Sequence, residues 1–115
     1  MGEENLKEAR LVRVFIAEED TYKGEPLYKY ILRWCLDNGI AGATVFRGIA
    51  GFGRHRKLRK HSLLPKKDLP VVIEIIDEPE KVEQKLLPFL KEVVKEGLIT
   101  LEKVYVLKWG NPDRG

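Results

Sequence analysis

Four stretches of the chain alternate apolar and polar residues, and each predicts a β-strand. In residues 10–17 one face carries three β-branched side chains, Val12, Val14 and Ile16. Alternation with period two and β-branched residues is typical of a strand. The other three predicted strands cover residues 43–49, 69–76 and 102–109. Pro70 fits the third of these because it stands at the start, where proline's missing N–H does least harm.

Two further stretches have the three-to-four-residue spacing of amphipathic helices. The first is predicted from Pro26 to Asn38, and Gly39 supplies the left-handed residue that often ends a helix. The second is predicted from Pro79 to about Glu96, before Gly97, with an apolar stripe formed by Val82, Leu86, Phe89, Leu90 and Val93. We expect Pro88 to kink it, because proline cannot donate the helical hydrogen bond.

The resulting order, β-α-β-β-α-β, predicts an α+β, ferredoxin-like domain over residues 1–115. Right-handed crossovers place both helices on one face of a four-stranded antiparallel sheet. Val, Ile and aromatic residues occupy both phases of the strands, so we expect the other face to be substantially apolar. A small domain does not leave such a face in water, which predicts self-association.

Length and composition narrow the class of protein. The 115 residues carry a net charge of +3 and fit one domain, which excludes a multidomain enzyme. The sequence has no apolar run of the roughly 20 residues that cross a bilayer. The first four residues include two acids, Glu3 and Glu4, and lack an apolar core. We therefore expect no signal peptide and a cytoplasmic location. With one cysteine, Cys35, and two histidines, no disulfide and no zinc site are expected.

The positive charge is concentrated in one segment. Residues 50–69 carry +6, with Asp68 as the single acid, whereas the rest of the chain carries −3. The seven basic residues are Arg54, Arg56, Lys57, Arg59, Lys60, Lys66 and Lys67. Such a segment is either a device for meeting an anion or a solvated loop kept soluble by its charges.

The strongest candidate site runs from Thr44 to Arg54 and contains glycines at 48, 51 and 53. Glycines let backbone amides approach an anion, and Arg47, Arg54 and Arg56 could then bind phosphate oxygens. The alternative is a glycine-eased bend at a strand end. The spacing is neither the P-loop nor the dinucleotide fingerprint.

Three segments together resemble the nitrogen-regulatory P-II signal-transduction superfamily, and in particular its short P-II-like branch. They are Gly42-Ala43-Thr44-Val45, Gly51-Phe52-Gly53-Arg54 with the basic loop after it, and Leu69-Pro70 with Ile73-Glu74-Ile75-Ile76. The resemblance implies a non-enzymatic regulator, a homotrimer whose sheets line a central barrel. It also implies ATP, ADP or AMP bound between subunits without turnover, with Mg²⁺ as a candidate companion. A flexible loop, here at about 54–69, would engage a target such as a membrane transporter or an enzyme.

The same resemblance assigns roles to individual residues. Thr44 and Gly51 match positions near adenine and ribose, and Glu74 and Ile76 match third-strand positions beside the adenine. Gly53 and Arg54 match the phosphate-binding turn, Arg56 replaces a phosphate-binding lysine, and Lys108 matches one of two arginines on the last strand. The full set of predicted nucleotide-binding residues is Thr44, Arg47, Gly48, Gly51, Phe52, Gly53, Arg54, Arg56, Glu74, Ile76 and Lys108.

Several features depart from the family pattern. Residues 96–101 contain no glycine-rich loop with its own phosphate-binding lysine, and the first arginine of the terminal pair falls on Val106. Weaker phosphate binding, fewer phosphates or the use of loop lysines would follow. Residues 54–69 contain no tyrosine, so the nucleotidylylation switch of classical members cannot operate there.

Other functions stay open at this point. An RNA-binding module is the main alternative, because ferredoxin-like sheets host RNA recognition motifs and Gly51-Phe52-Gly53 loosely resembles their aromatic element. An acylphosphatase-type enzyme would need a cationic loop where Glu18, Glu19 and Asp20 stand. Glu74 and Asp77 form no expected acid–base pair, since they point to opposite faces of a strand. Cys35 is expected to be a buried inert thiol, and His55 and His61 exposed histidines or a pH-responsive pair.

Overall fold

The computed structural model describes residues 5–55, 57–60 and 68–110, and its long strands form one antiparallel sheet. The strands are β1 (Lys7–Ala17), β2 (Thr21–Tyr22), β3 (Glu25–Pro26), β4 (Gly42–Arg47), β5 (Ala50–Gly51), β6 (Arg59–Lys60), β7 (Pro70–Asp77) and β8 (Leu98–Val106). The helical segments are α1 (Leu27–Asp37), α2 (Pro79–Lys81), a π-helical turn (Val82–Leu86) and α3 (Leu87–Val93). No helix in the described ranges is long and apolar enough to cross a membrane.

The sheet has the order β4-β7-β1-β8, with every neighbouring pair antiparallel. This is the predicted ferredoxin-like order, in which the first and third long strands lie at the centre. Both helical layers pack on the same face. The core joins alternate residues of β1 and β7 to apolar side chains of the helices, among them Ile31, Cys35, Val82, Leu86 and Leu90.

Several strand boundaries differ from the prediction, including the start of β1 at Lys7 rather than at residue 10, and two of them show the cause most clearly. β8 covers Leu98–Val106 rather than 102–109, because Leu98 already pairs with Phe15 of β1. β4 ends at Arg47 rather than at residue 49, because the Gly48 N–H bonds to the Pro70 carbonyl at 2.7 Å. Pairing with a neighbouring strand fixed both ends.

The second helix is distorted before Pro88, as the missing N–H of that residue predicts. The Leu87 N–H donates to the Val82 carbonyl, five residues earlier, within the π-helical turn. The helix ends at Val93 rather than near Glu96, and Gly97 lies in the connection to β8 with φ of +150°. A Cβ at Gly97 would lie 2.6 Å from the Phe15 carbonyl oxygen, so this tight connection requires glycine.

The sheet face opposite the helices is only partly apolar, which corrects the sequence expectation. One row across the four strands is apolar and consists of Phe46, Val72, Phe15 and Leu98. The next row is polar and consists of Thr44, Glu74, Arg13 and Thr100. We refer to these as the apolar row and the polar row. Phe46 and Leu98 are 49% and 55% exposed, so the apolar row is uncovered at both edges of the sheet.

Candidate functional site

The candidate turn lies beyond the end of β4, on a short two-stranded ribbon. Ala50 pairs with Lys60 and Gly51 pairs with Arg59. The segment expected as a flexible loop at about 54–69 therefore contains ordered structure at residues 59–60. Phe52, Gly53, Arg54 and His55 form the exposed end of this ribbon. Arg56 and residues 61–67, including His61, lie outside the described residues.

The three glycines of the motif serve different purposes. A Cβ at Gly48 would lie 2.9 Å from Pro70 Cγ, and one at Gly51 would lie 3.2 Å from the same atom. The Gly48 N–H donates to the Pro70 carbonyl at 2.7 Å, so in the single chain this amide is already engaged. A Cβ at Gly53 would meet nothing within 4 Å. Of the three, Gly53 is the glycine with open space around its backbone.

The two described arginines of the motif have different surroundings. The Arg47 guanidinium forms an ion pair with Glu18, with Nη2 and Oε2 2.6 Å apart. Arg54 is exposed and makes no ion pair or hydrogen bond within the described part of the chain. Of these two arginines, Arg54 is therefore the one without a partner among the described residues.

Sequence reasoning missed two acids that organise this region. Glu18 was considered only as one of the acids that stand where an acylphosphatase-type enzyme would need a cationic loop, and Asp68 only as the single acid of the basic segment. Asp68 forms an ion pair with Arg59 and accepts a hydrogen bond from the Glu19 N–H at 3.3 Å. The available signal was the position of Asp68, an acid directly before the apolar start of β7.

The sheet-face candidates lie together on the open face. Thr44 and Glu74 are direct neighbours across β4 and β7, and Ile76 lies beside Gly42. Glu74 is already engaged, since its Oε2 accepts a hydrogen bond from Arg13 Nε at 2.8 Å. Arg13 also binds Glu102. Its hydrogen bonds to the two carboxylates raise the pKa of the guanidinium, and the bond to Glu74 contributes more than the bond to Glu102.

Lys108 lies at the opposite corner of the sheet from the candidate turn. It follows the C-terminal end of β8, which is the edge strand farthest from β4. β8 is also antiparallel to β1, so its C-terminal end lies near Lys7, while the turn after β4 lies at the other end. One chain does not bring Lys108 and Arg54 together. A site that uses both must draw them from two copies.

The pockets of the single chain do not coincide with the candidate residues. One pocket of about 350 Å³ is lined by Lys7, Glu8, Glu78, Pro79, Glu80 and Trp109. A second, of about 200 Å³, is lined by Asp20, Thr21, Leu27, Val93, Lys95 and Glu96. Neither pocket includes a predicted nucleotide-binding residue.

The remaining titratable candidates, among them Cys35, Asp77 and His55, are buried or contact other residues of the same chain. Burial raises the pKa of the Cys35 thiol to about 12, so the thiol is protonated and unreactive at neutral pH. Asp77 is buried on the helix side and accepts hydrogen bonds from the Ala41 and Glu78 N–H groups at 3.0 and 2.7 Å. Glu74 lies on the opposite face, as predicted. His55 Nε2 lies 3.2 Å from a carboxylate oxygen of Glu96.

The open face does not favour the RNA alternative. Phe15 and Phe46 are exposed there, but the third long strand contributes only Pro70, Val72, Glu74 and Ile76 to that face, none of them aromatic. The carboxylates of Glu74 and Glu102 surround Arg13 at its centre and would repel a phosphate backbone.

Comparisons with known proteins place the chain in a family. The model of the DUF190 family, described as "Uncharacterized ACR", matches residues 9–106. A UPF0166 protein of Aquifex aeolicus is 46% identical over 101 residues, which cover 85% of this chain and 92% of that protein. A UPF0166 protein of Methanocaldococcus jannaschii is 36% identical over 101 residues, covering 87% and 93% of the two chains.

Solved structures with the same fold include CPII, a nitrogen regulatory PII-like protein from Thiomonas intermedia K12. Its structure bound to ADP, AMP and bicarbonate has a TM-score of 0.64 at 15% identity, covering 90% of this chain and 92% of that chain. A second CPII structure, bound to ADP and bicarbonate, has a TM-score of 0.58 at 16% identity, with the same coverage. The resemblance inferred from the sequence is thereby confirmed: the chain belongs to the DUF190 (UPF0166) family and has the PII-like fold.

Proposed function

We propose that this protein is a PII-like regulator that binds an adenine nucleotide without turning it over. The observation that carries the proposal is the fold shared over 90% of the chain with CPII, whose solved structures contain ADP and AMP. The exposed Gly53–Arg54 turn supports it, because open backbone beside an unpaired guanidinium suits a phosphate.

The proposed site lies between two copies of a homotrimer. One copy contributes Thr44 and Ile76 beside the adenine, and Gly53 and Arg54 at the phosphates. A neighbouring copy contributes Lys108 from the end of β8. The corner-to-corner separation of Lys108 and Arg54 within one chain supports this arrangement, because a single chain cannot use both. The uncovered apolar row supplies a surface for the assembly.

Binding would act on the basic segment after β4. Phosphate oxygens neutralise part of its +6 charge, which removes self-repulsion and favours one conformation of the segment. A target protein that recognises this conformation, such as a membrane transporter or an enzyme, would then respond to nucleotide occupancy.

The test is calorimetric titration of the whole protein with ATP, ADP and AMP. Arg54→Ala should weaken binding of the preferred nucleotide by about 1–3 kcal/mol, because it removes charge-assisted hydrogen bonds to phosphate. Lys91→Ala, an equal change of charge on the exposed side of α3, should leave the affinity unchanged. Absence of binding by all three nucleotides at millimolar concentration would overturn the proposal.

A further inference from the structure

Both ends of the segment between β4 and β7 are tied to the turn that follows β1. At the first end, Arg47 pairs with the Glu18 carboxylate at 2.6 Å. At the second end, the Leu69 N–H donates to Glu18 Oε1 at 3.3 Å, and the Glu18 N–H donates to the Leu69 carbonyl at 2.8 Å. One side chain, that of Glu18, therefore contacts both ends of the segment.

A second acid–arginine pair lies beside the first. Asp68 binds Arg59 of the ribbon and accepts a hydrogen bond from the Glu19 N–H at 3.3 Å. We call the two pairs, Glu18–Arg47 and Asp68–Arg59, the latch. Its charges sum to zero.

The acids are the fixed members of the latch, and Arg47 is the exchangeable one. The side chains of Glu18 and Asp68 are 16% and 15% exposed, and each accepts a hydrogen bond from a backbone amide. The Arg47 side chain is 53% exposed and is held by the Glu18 carboxylate. A guanidinium carries five donors, so it readily exchanges a carboxylate for a phosphate.

We propose that Glu18 competes with a phosphate-bearing ligand for Arg47, so that binding of the ligand breaks the Glu18–Arg47 ion pair. The inference rests on the function proposed above and names how that site is regulated. The ligand binds the open latch, and its apparent affinity is therefore reduced by the fraction of molecules in which the latch is closed. The ion pair between Glu18 and Arg47 sets the fraction of molecules in which the latch is closed.

This mechanism predicts a gain of affinity on removing an acid. Glu18→Gln keeps an oxygen for the Leu69 N–H but loses the charge that holds Arg47. Calorimetry with ATP should show binding tightened about two- to fivefold, the factor expected for releasing an exposed ion pair. The control, Asp37→Asn, makes the same charge change at the C-terminal end of α1 and should leave the affinity unchanged.

The outcomes separate this inference from the proposed function. If the unmodified protein binds ATP while Glu18→Gln binds it no tighter than Asp37→Asn, the latch is wrong and the function stands. If the unmodified protein binds none of the adenine nucleotides, the function fails and the latch fails with it.

Discussion

At the scale of single residues, Gly48 and Gly53 are glycines for different reasons. A methyl group at position 48 would press against Pro70 Cγ at 2.9 Å, next to the hydrogen bond from the Gly48 N–H to the Pro70 carbonyl. Gly48→Ala should lower the free energy of unfolding by about 1–3 kcal/mol, the usual cost of overpacking. Denaturation by urea measures it.

Gly53→Ala is the matched control for this change. Because nothing lies within 4 Å of the added Cβ, the free energy of unfolding should change by no more than about 0.5 kcal/mol. The same variant should weaken ATP binding if the backbone at Gly53 approaches phosphate as proposed. Equal destabilisation by the two substitutions would contradict the packing explanation of Gly48.

The candidate residues were identified from the sequence, but their partners were not. Arg47 is neutralised by Glu18 and Glu74 by Arg13, and both partners lie on β1 or directly after it. A local motif contains no information about ion pairs between residues so distant along the chain. The sequence therefore indicated which side chains carry charge in this region, whereas the fold determined which of them, notably Arg54, have no partner among the described residues.

At the scale of elements, an aromatic stack joins α1 to α3. The rings of Trp34 and Phe89 lie 4.0 Å apart and within 5° of parallel, and Tyr30 stacks on Phe89 at 6.1 Å. A double-mutant cycle with Trp34→Leu and Phe89→Leu should give a coupling free energy of about 0.5–1.5 kcal/mol beyond the burial lost. Chemical denaturation of the four proteins provides the measurement.

A second cycle controls for general effects of removing an aromatic ring. Tyr105 lies on β8 and is 61% exposed, and it makes no ring contact with the described part of the helical layer. Trp34→Leu and Tyr105→Leu should be additive to within about 0.5 kcal/mol. A Trp34–Phe89 coupling no larger than this would mean that the two helices are held by burial alone.

Elements with clear local signals were predicted well, and those that depend on a neighbour were not. α1 follows Pro26 and precedes Gly39, so its extent was predicted to within a residue. Residues 98–109 are apolar or mixed throughout, so alternation alone could not choose the start of β8. In the structure, pairing of Leu98 with Phe15 of β1 determines where β8 begins. The short β5–β6 ribbon was missed because its four residues have no strand pattern of their own.

At the scale of the whole molecule, the residues of the proposed site lie at two opposite corners of the single chain. The turn after β4 carries Arg54, the end of β8 carries Lys108, and the apolar row runs across the sheet between the two edges. If copies assemble through this face, the apolar row is buried and corners from different copies can meet. Assembly and nucleotide binding are then one property of the molecule rather than two.

Phe46→Asp tests that link. Phe46 is 49% exposed in the apolar row, so its loss costs the isolated chain little, whereas a buried carboxylate would oppose assembly. Light scattering should report a single chain of 13.3 kDa for the variant and three chains for the unmodified protein. Calorimetry should show that the variant no longer binds the nucleotide, although its thermal unfolding stays cooperative.

Leu36→Asp provides the control on the other side of the molecule. Leu36 is 80% exposed on α1, in the helical layer, so an aspartate there should alter neither mass nor binding. A Phe46→Asp variant that stays trimeric would move the interface off the apolar row. A monomeric variant that still binds ATP with full affinity would show that one chain completes the site without Lys108 of a neighbouring copy, and the two-corner arrangement would then be wrong.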